Sequence, residues 1–165
     1  MQTIVRLMWV ILITAAISAC AGHDGGHGDH GDHGDYTGKV QSVDAETVAG
    51  WYAEGRSFRI LDVRTEKEFE EDGHAPEAEL VTWSYRGQVE GVNEAFIETV
   101  PGRFDADETI LILCSLGMRA TEAAYALQQQ AGFTGVYVFA GGYDGHHMEG
   151  FPAGDGWRAA DLPLE

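Results

Sequence analysis

Residues 114 to 119, CSLGMR, join an apolar run, TILIL, to an alanine-rich stretch, ATEAAYALQQQA. A cysteine, a glycine and an arginine thus meet where a strand pattern turns into a helix pattern. Such a turn can aim successive backbone N–H groups at its own centre, and the helix start adds partial positive charge, so the centre favours an anion. A thiolate on Cys114 is stabilised there. Gly117 supplies backbone freedom for a tight curve, and Arg119 adds a cation at the rim or braces the loop. A cysteine pKa lowered from about 8.5 to about 6.5 raises the thiolate fraction at pH 7 from roughly 3% to roughly 75%. Much of that gain is lost because nucleophilicity falls with pKa, by roughly 6- to 10-fold over two units. Most of the rate must then come from positioning the substrate and from donors waiting for the developing charge.

The elements that place this loop follow from periodicity. FRILDV (58–63), ELVTW (79–83), TILILC (109–114) and VYVFA (136–140) read as strands, the third without alternation, as for a strand covered on both faces. Helical patterns lie between them. Ser42 predicts the N-cap of a helix carrying Val48, Trp51 and Tyr52 and closing near Gly55. Further helices are predicted from Thr65, from Asn93 and over 119–131, where Ala120, Ala123, Ala124 and Leu127 share a face. Strands alternating with helices predict an α/β fold, a doubly wound, mainly parallel sheet flanked by helices. The functional crevice of such a sheet lies beyond the carboxyl ends of its strands, where Cys114 falls.

The chain has 165 residues, 44% hydrophobic, which suits one folded domain, predicted over 36–165. Residues 1–21 have the pattern of a signal peptide, with Arg6 as the only charge before the apolar run LMWVILITAAI. ISAC, residues 17–20, resembles the lipobox of bacterial lipoproteins, which implies an exported protein with a lipidated Cys20. It would be held in the cell envelope by that anchor alone, facing the periplasm. Ala21 after Cys20 is, by the same resemblance, compatible with sorting to an outer membrane. The alternative is an ordinary cleavage site at Ala19-Cys20-Ala21, which discards Cys20 and releases a soluble protein, and an uncleaved span is a third, against which Thr14 and Ser18 interrupt the run. Either processing leaves Cys114 without a disulfide partner in the chain, since only two cysteines are present. A lone thiol in an exported domain is either buried and inert or reactive and useful.

Residues 22–35, GHDGGHGDHGDHGD, contain no apolar side chain and end in three copies of HGD. Such a segment reads as a flexible tether. His23, His27, His30 and His33, among aspartates, offer ligands suited to Zn²⁺, Cu²⁺ or Ni²⁺. The alternative is a solvated spacer that binds metal only as a histidine tag does. The net charge is −17, and loss of the leader makes the chain one unit more negative. Nucleic acid and anionic lipid surfaces are thereby disfavoured as partners.

ILDVRTEKEFEEDGHAPEA, ILILCSLGMRATEAAYALQQQAGF and VYVFAGGYDGHHMEGFP resemble, in order, three motifs of single-domain rhodaneses. These are the D-V-R with E-F and G-H-x-P segment, the C-x-x-G-x-R active loop and the G-G closing segment, together covering about Val40 to Pro152. The resemblance implies a sulfurtransferase without a cofactor. Cys114 attacks the sulfane sulfur of a small anion such as thiosulfate, becomes a persulfide and passes the sulfur to a thiol or to cyanide. It implies further that the backbone of Ser115, Leu116, Gly117, Met118 and Arg119 cradles the persulfide, and that Arg119 assists the anionic substrate. Asp62, Arg64, Glu68 and His74 then brace the fold. Glu77, Leu80, Thr82, Ser115 and His146 depart from the family pattern, Ser115 replacing an arginine common in relatives, which weakens the case for thiosulfate itself. Related phosphatases and arsenate reductases place arginine six residues after the cysteine, whereas position 120 here is alanine. A different class remains, a rhodanese-like module that docks a partner or carries sulfur while the histidine tail binds metal.

Overall fold

A computed structural model of the chain describes residues 39–85, 91–147, 149 and 151–165. Gln41–Val43 forms an edge strand, β1, and Asp44, not Ser42, caps the helix that follows, α1 (Ala45–Glu54). The Asp44 carboxylate accepts the Thr47 N–H at 2.9 Å. Ser42 is paired instead with Val138 in the sheet. Three largely exposed residues carry no periodic signal, which is why the strand escapes a sequence reading. Gly55, in the left-handed region at φ 64°, closes α1 by donating to Trp51 and Tyr52 carbonyls.

The remaining elements are β2 (Arg59–Asp62), α2 (Glu66–Asp72), β3 (Glu79–Leu80), α3 (Phe96–Thr99) with a 3₁₀ turn at Val100–Gly102, β4 (Ile110–Leu113), α4 (Met118–Gln130), β5 (Val136–Phe139) and a 3₁₀ turn at Trp157–Ala159. The sheet order is β1-β5-β4-β2-β3, with every described pairing parallel. β3 stops sooner than its sequence pattern predicts. The chain still tracks β2 beyond it, since Val81 and Trp83 N–H groups donate to Asp62 and Val63 carbonyls at 3.0 and 3.1 Å. α3 likewise starts later than predicted, because the Asn93 side chain turns back to accept the Ala95 N–H at 3.2 Å.

Two cores sandwich the sheet. Ile110 and Ile112 of β4 join Phe96, Val100 and the Ala120, Ala123, Ala124 and Leu127 face of α4. Leu111 and Leu113 point the other way, to Val48 and Trp51 of α1 and to Trp157. All four β4 side chains are fully buried, so the unbroken apolar run is what a central strand between two helical layers requires. Each such burial contributes about 1.5–3 kcal/mol. The alanines of α4 let the helix axis lie close to the sheet. Together these layers fix the carboxyl end of β4, and with it Cys114, at one pole of the domain.

Candidate active site

Cys114 is the first residue after β4, and α4 begins four residues later at Met118. Gly117 makes the turn between them at φ 94°, a conformation costly for any residue with a β-carbon. The turn folds the backbone around the sulfur. Cys114 Sγ accepts the N–H of Gly117 at 3.1 Å and that of Ala120, in the first turn of α4, at 3.4 Å. It borders a shallow dimple lined also by Ser115, Leu116, Met118 and Arg119.

The sequence predicts an accessible thiol of lowered pKa, and the structure differs on both counts. Cys114 is 1% exposed. Burial pushes its pKa up, against the downward pull of the Arg119 charge and the Ala120, Leu116 and Gly117 amides. The cause is packing: the Cys114 side chain joins the core face of Ile112, Val63, Trp83 and Ala120, while the 141–145 segment holds the backbone of the loop, Tyr143 N–H donating to the Cys114 carbonyl at 2.7 Å and Asp144 N–H to that of Ser115 at 2.8 Å. In the resting protein the alkylation rate with iodoacetamide is therefore expected to rise about tenfold per pH unit from pH 7 to beyond pH 8.5. A plateau already reached below pH 7 would contradict the burial effect.

Gly142 is the point of closest approach. A β-carbon there, at φ 65°, would lie 2.5 Å from the Cys114 carbonyl oxygen, 2.6 Å from that of Ser115 and 2.7 Å from the Gly117 nitrogen. Gly142→Ala is expected to cost about 2–4 kcal/mol and to displace the loop that holds the sulfur. The urea midpoint and the sulfur-loading rate should fall together; an unchanged midpoint would mean that the segment does not press on the loop.

Arg119 is 5% exposed and braces the loop. Its two terminal nitrogens donate to the Glu68 carboxylate at 2.9 and 2.5 Å, and one also donates to Ser115 Oγ at 2.8 Å. Ser115 Oγ in turn donates to Glu68 at 2.7 Å. Glu68 also closes the capping box of α2, receiving the Thr65 N–H at 2.9 Å while Thr65 Oγ1 accepts the Glu68 N–H. Burial pushes the Glu68 carboxyl up, yet the Arg119, Thr65 and Ser115 donors outweigh it and hold the group well below the usual carboxylate range. One carboxylate thus locks the start of α2 to the loop after β4. Spacing gives no hint of this contact, since 51 residues separate Glu68 from Arg119.

Asp62 and Arg64 lie deeper. Their side chains are 0% and 1% exposed and form a forked pair, Arg64 Nε and Nη2 donating to the Asp62 carboxylate at 2.8–3.1 Å. Arg64 also donates to the Gly73 carbonyl at 2.8 Å and lies over the Tyr143 ring at 4.2 Å. His74 stacks on Phe69 with centroids 3.9 Å apart, and its Nδ1 donates to the Ala75 carbonyl. His146 is 8% exposed, and its Nε2 lies 3.6 Å from where a Gly117 β-carbon would be. Burial and neighbouring His147 lower its pKa. Cys20, His23, His27, His30 and His33 lie outside the described residues. Among the described residues no cluster of three or more His, Cys, Asp or Glu is placed to hold a metal ion, and no helix is long and apolar enough to cross a membrane.

Comparison with known proteins agrees with this geometry. The chain is 40% identical over 96 residues to thiosulfate sulfurtransferase 16, chloroplastic, of Arabidopsis thaliana, covering 57% of this chain and 78% of that protein. It is also 40% identical over 111 residues to the senescence-associated protein DIN1 of Raphanus sativus, covering 66% of this chain and 52% of the radish protein. Among solved structures, a protein from M. tuberculosis superposes with a TM-score of 0.61 at 24% identity, over 76% of this chain and 97% of that one. The rhodanese-like domain of an Anabaena sp. protein gives 0.56 at 22% identity, over 75% and 77%. These last two speak for the fold, the parallel α/β sheet described above. The family model for the rhodanese-like domain matches residues 44–149, and the chain belongs to that family.

Proposed function

We propose that the chain is a sulfurtransferase that moves a sulfane sulfur through a persulfide on Cys114. The Cys114 thiolate attacks the sulfane sulfur of a donor, and the donor's bond to that sulfur breaks with its electron pair leaving on the departing group. An acceptor nucleophile then attacks the outer sulfur of the persulfide, and the Cys114 thiolate leaves. The observation that carries this reading is the pair of backbone N–H groups aimed at Sγ. A buried thiol serving only to fill the core has no use for two amide donors, whereas a sulfur that becomes anionic in each half-reaction needs them in place beforehand.

The reaction as written draws on no cofactor. The lipobox pattern supports export and anchoring through Cys20, so transfer would take place in the cell envelope between small sulfur compounds, with no role for nucleic acid. The 22–35 tether, with or without metal on its four histidines, stands outside the chemistry. With cyanide as acceptor, the mature chain should form thiocyanate from a sulfane-sulfur donor at a rate unchanged by deletion of residues 22–35. Loss of turnover on that deletion, together with dependence of the intact chain on added Zn²⁺, would favour the metal-binding module instead.

A further inference from the structure

A cleft of about 250 Å³ opens at the amino end of β2, lined among others by Trp51, Tyr52, Arg56, Phe58, Pro76 and Glu77. It lies at the opposite end of the parallel sheet from Cys114, which follows the carboxyl end of β4. At about 30 Å³ per water, the space takes several waters or one amino-acid-sized molecule. Two charges face it. Arg56 is fixed by the end of α1, where its N–H donates to the Trp51 carbonyl at 2.9 Å and the Gly55 N–H to that of Tyr52 at 3.1 Å, a Schellman closure. The Arg56 guanidinium lies over the Trp51 ring, 4.3 Å from its centroid. Among the described residues no carboxylate pairs with it, whereas neighbouring Arg59 is held by Glu79 and Glu108. A guanidinium stacked on an indole has its plane set and still presents its edge N–H groups, the fork that a carboxylate fits. Glu77 supplies the other charge. It is the one described non-glycine residue in the left-handed region, at φ 59°. Glycine would sit there without strain, so the carboxylate is held at the cleft against a local backbone cost. Its charge is felt at the Tyr52 hydroxyl, whose pKa is raised first by burial and then by Glu77. A cation and a carboxylate thus line one cleft without pairing with each other.

We infer that this cleft is a second binding site, independent of the sulfur chemistry, and that it takes a small zwitterion with an apolar body, an α-amino acid with an aromatic side chain. The carboxylate of the ligand meets the Arg56 fork and its ammonium meets Glu77. Its ring lies against Tyr52 and Phe58, whose own rings meet edge to face with centroids 5.1 Å apart. The charge of the whole chain favours this class. A net charge of −17 repels a simple carboxylate at long range, and Glu77 repels it at close range, while a molecule of zero net charge meets neither opposition. A simple ammonium gains Glu77 but leaves the Arg56 fork unused and adds a like charge beside it.

Three probes of one shape test this: L-phenylalanine, hydrocinnamate, which lacks the ammonium, and phenethylamine, which lacks the carboxylate. Binding to the full chain without its leader is followed by NMR, through the amide signals of Gly55 and Arg56 and the indole N–H of Trp51. Phenylalanine should half-saturate these shifts at about 1 mM. Each of the other two should bind about tenfold more weakly. Glu77→Gln keeps the shape and removes the charge, so phenylalanine should weaken about tenfold while hydrocinnamate tightens. In Arg56→Gln both carboxylate probes should weaken. The two side chains are exposed, so both variants should keep the wild-type spectrum away from the cleft. No shift of these signals up to about 20 mM phenylalanine overturns the inference. So does a ranking led by either singly charged probe, equal affinity for all three, or an unchanged ranking in Glu77→Gln.

Discussion

Cys114→Ser is expected to abolish sulfur transfer, by about 10³-fold or more, while leaving the fold intact. The change replaces one atom. Serine Oγ can still accept the Gly117 N–H that Sγ accepts at 3.1 Å, so the turn and the start of α4 keep their hydrogen bonds. The variant should therefore unfold at nearly the wild-type urea concentration. What it lacks is a nucleophile that can hold sulfur, because an alcohol at neutral pH is almost wholly protonated and forms no counterpart of the persulfide. Thiocyanate formation by the serine variant at more than a few per cent of the wild-type rate would move the chemistry away from this loop.

Arg64→Ala is expected to be the most damaging change for stability, at about 3–5 kcal/mol. Removing the guanidinium leaves Asp62, which is 0% exposed, as a buried carboxylate without its forked partner. It also strips the Gly73 carbonyl of a donor and the Tyr143 ring of the cation above it. Against a typical total stability of about 5–15 kcal/mol, the loss could unfold much of the population at physiological temperature. Chemical denaturation at 25 °C measures it, and since a urea m-value of about 1–3 kcal/mol per molar is usual, the midpoint should fall by more than 1 M. A fall of under about 1 kcal/mol would mean that water or a rearranged neighbour takes over the role of Arg64. Asp62→Asn combined with Arg64→Met should recover part of the loss, because a neutral pair leaves no buried charge uncompensated.

The readings that succeeded from sequence rest on local physics. The TILIL run predicts a strand buried on both faces, and β4 is one. A helix is predicted from Thr65, and α2 follows Thr65 as its N-cap. The alanine face of α4 follows from helical periodicity alone. The departures arise where distant segments meet. β1 exists because β5 offers it an edge, which three exposed residues do not announce. Glu68 reaches the loop because α2 leaves β2 beside β4, a consequence of sheet order. The burial of Cys114 depends on Val63, Val81 and Trp83, which the chain brings beside it from the end of β2 and beyond β3. Local sequence around the cysteine names the donors but carries no information on that cover, so it predicts an open thiolate where the folded chain holds a covered thiol.

The most direct measurement is the intact mass of the mature chain before and after exposure to a sulfane-sulfur donor, followed by treatment with a reductant. Both thiosulfate and benzenethiosulfonate should be tried, so that donor preference does not decide the outcome. The account predicts one added sulfur, about 32 Da, mapping to Cys114, released by the reductant and absent in Cys114→Ser. A chain that gains no mass from either donor, or gains it equally in the serine variant, contradicts the assignment of this sulfur as the carrier.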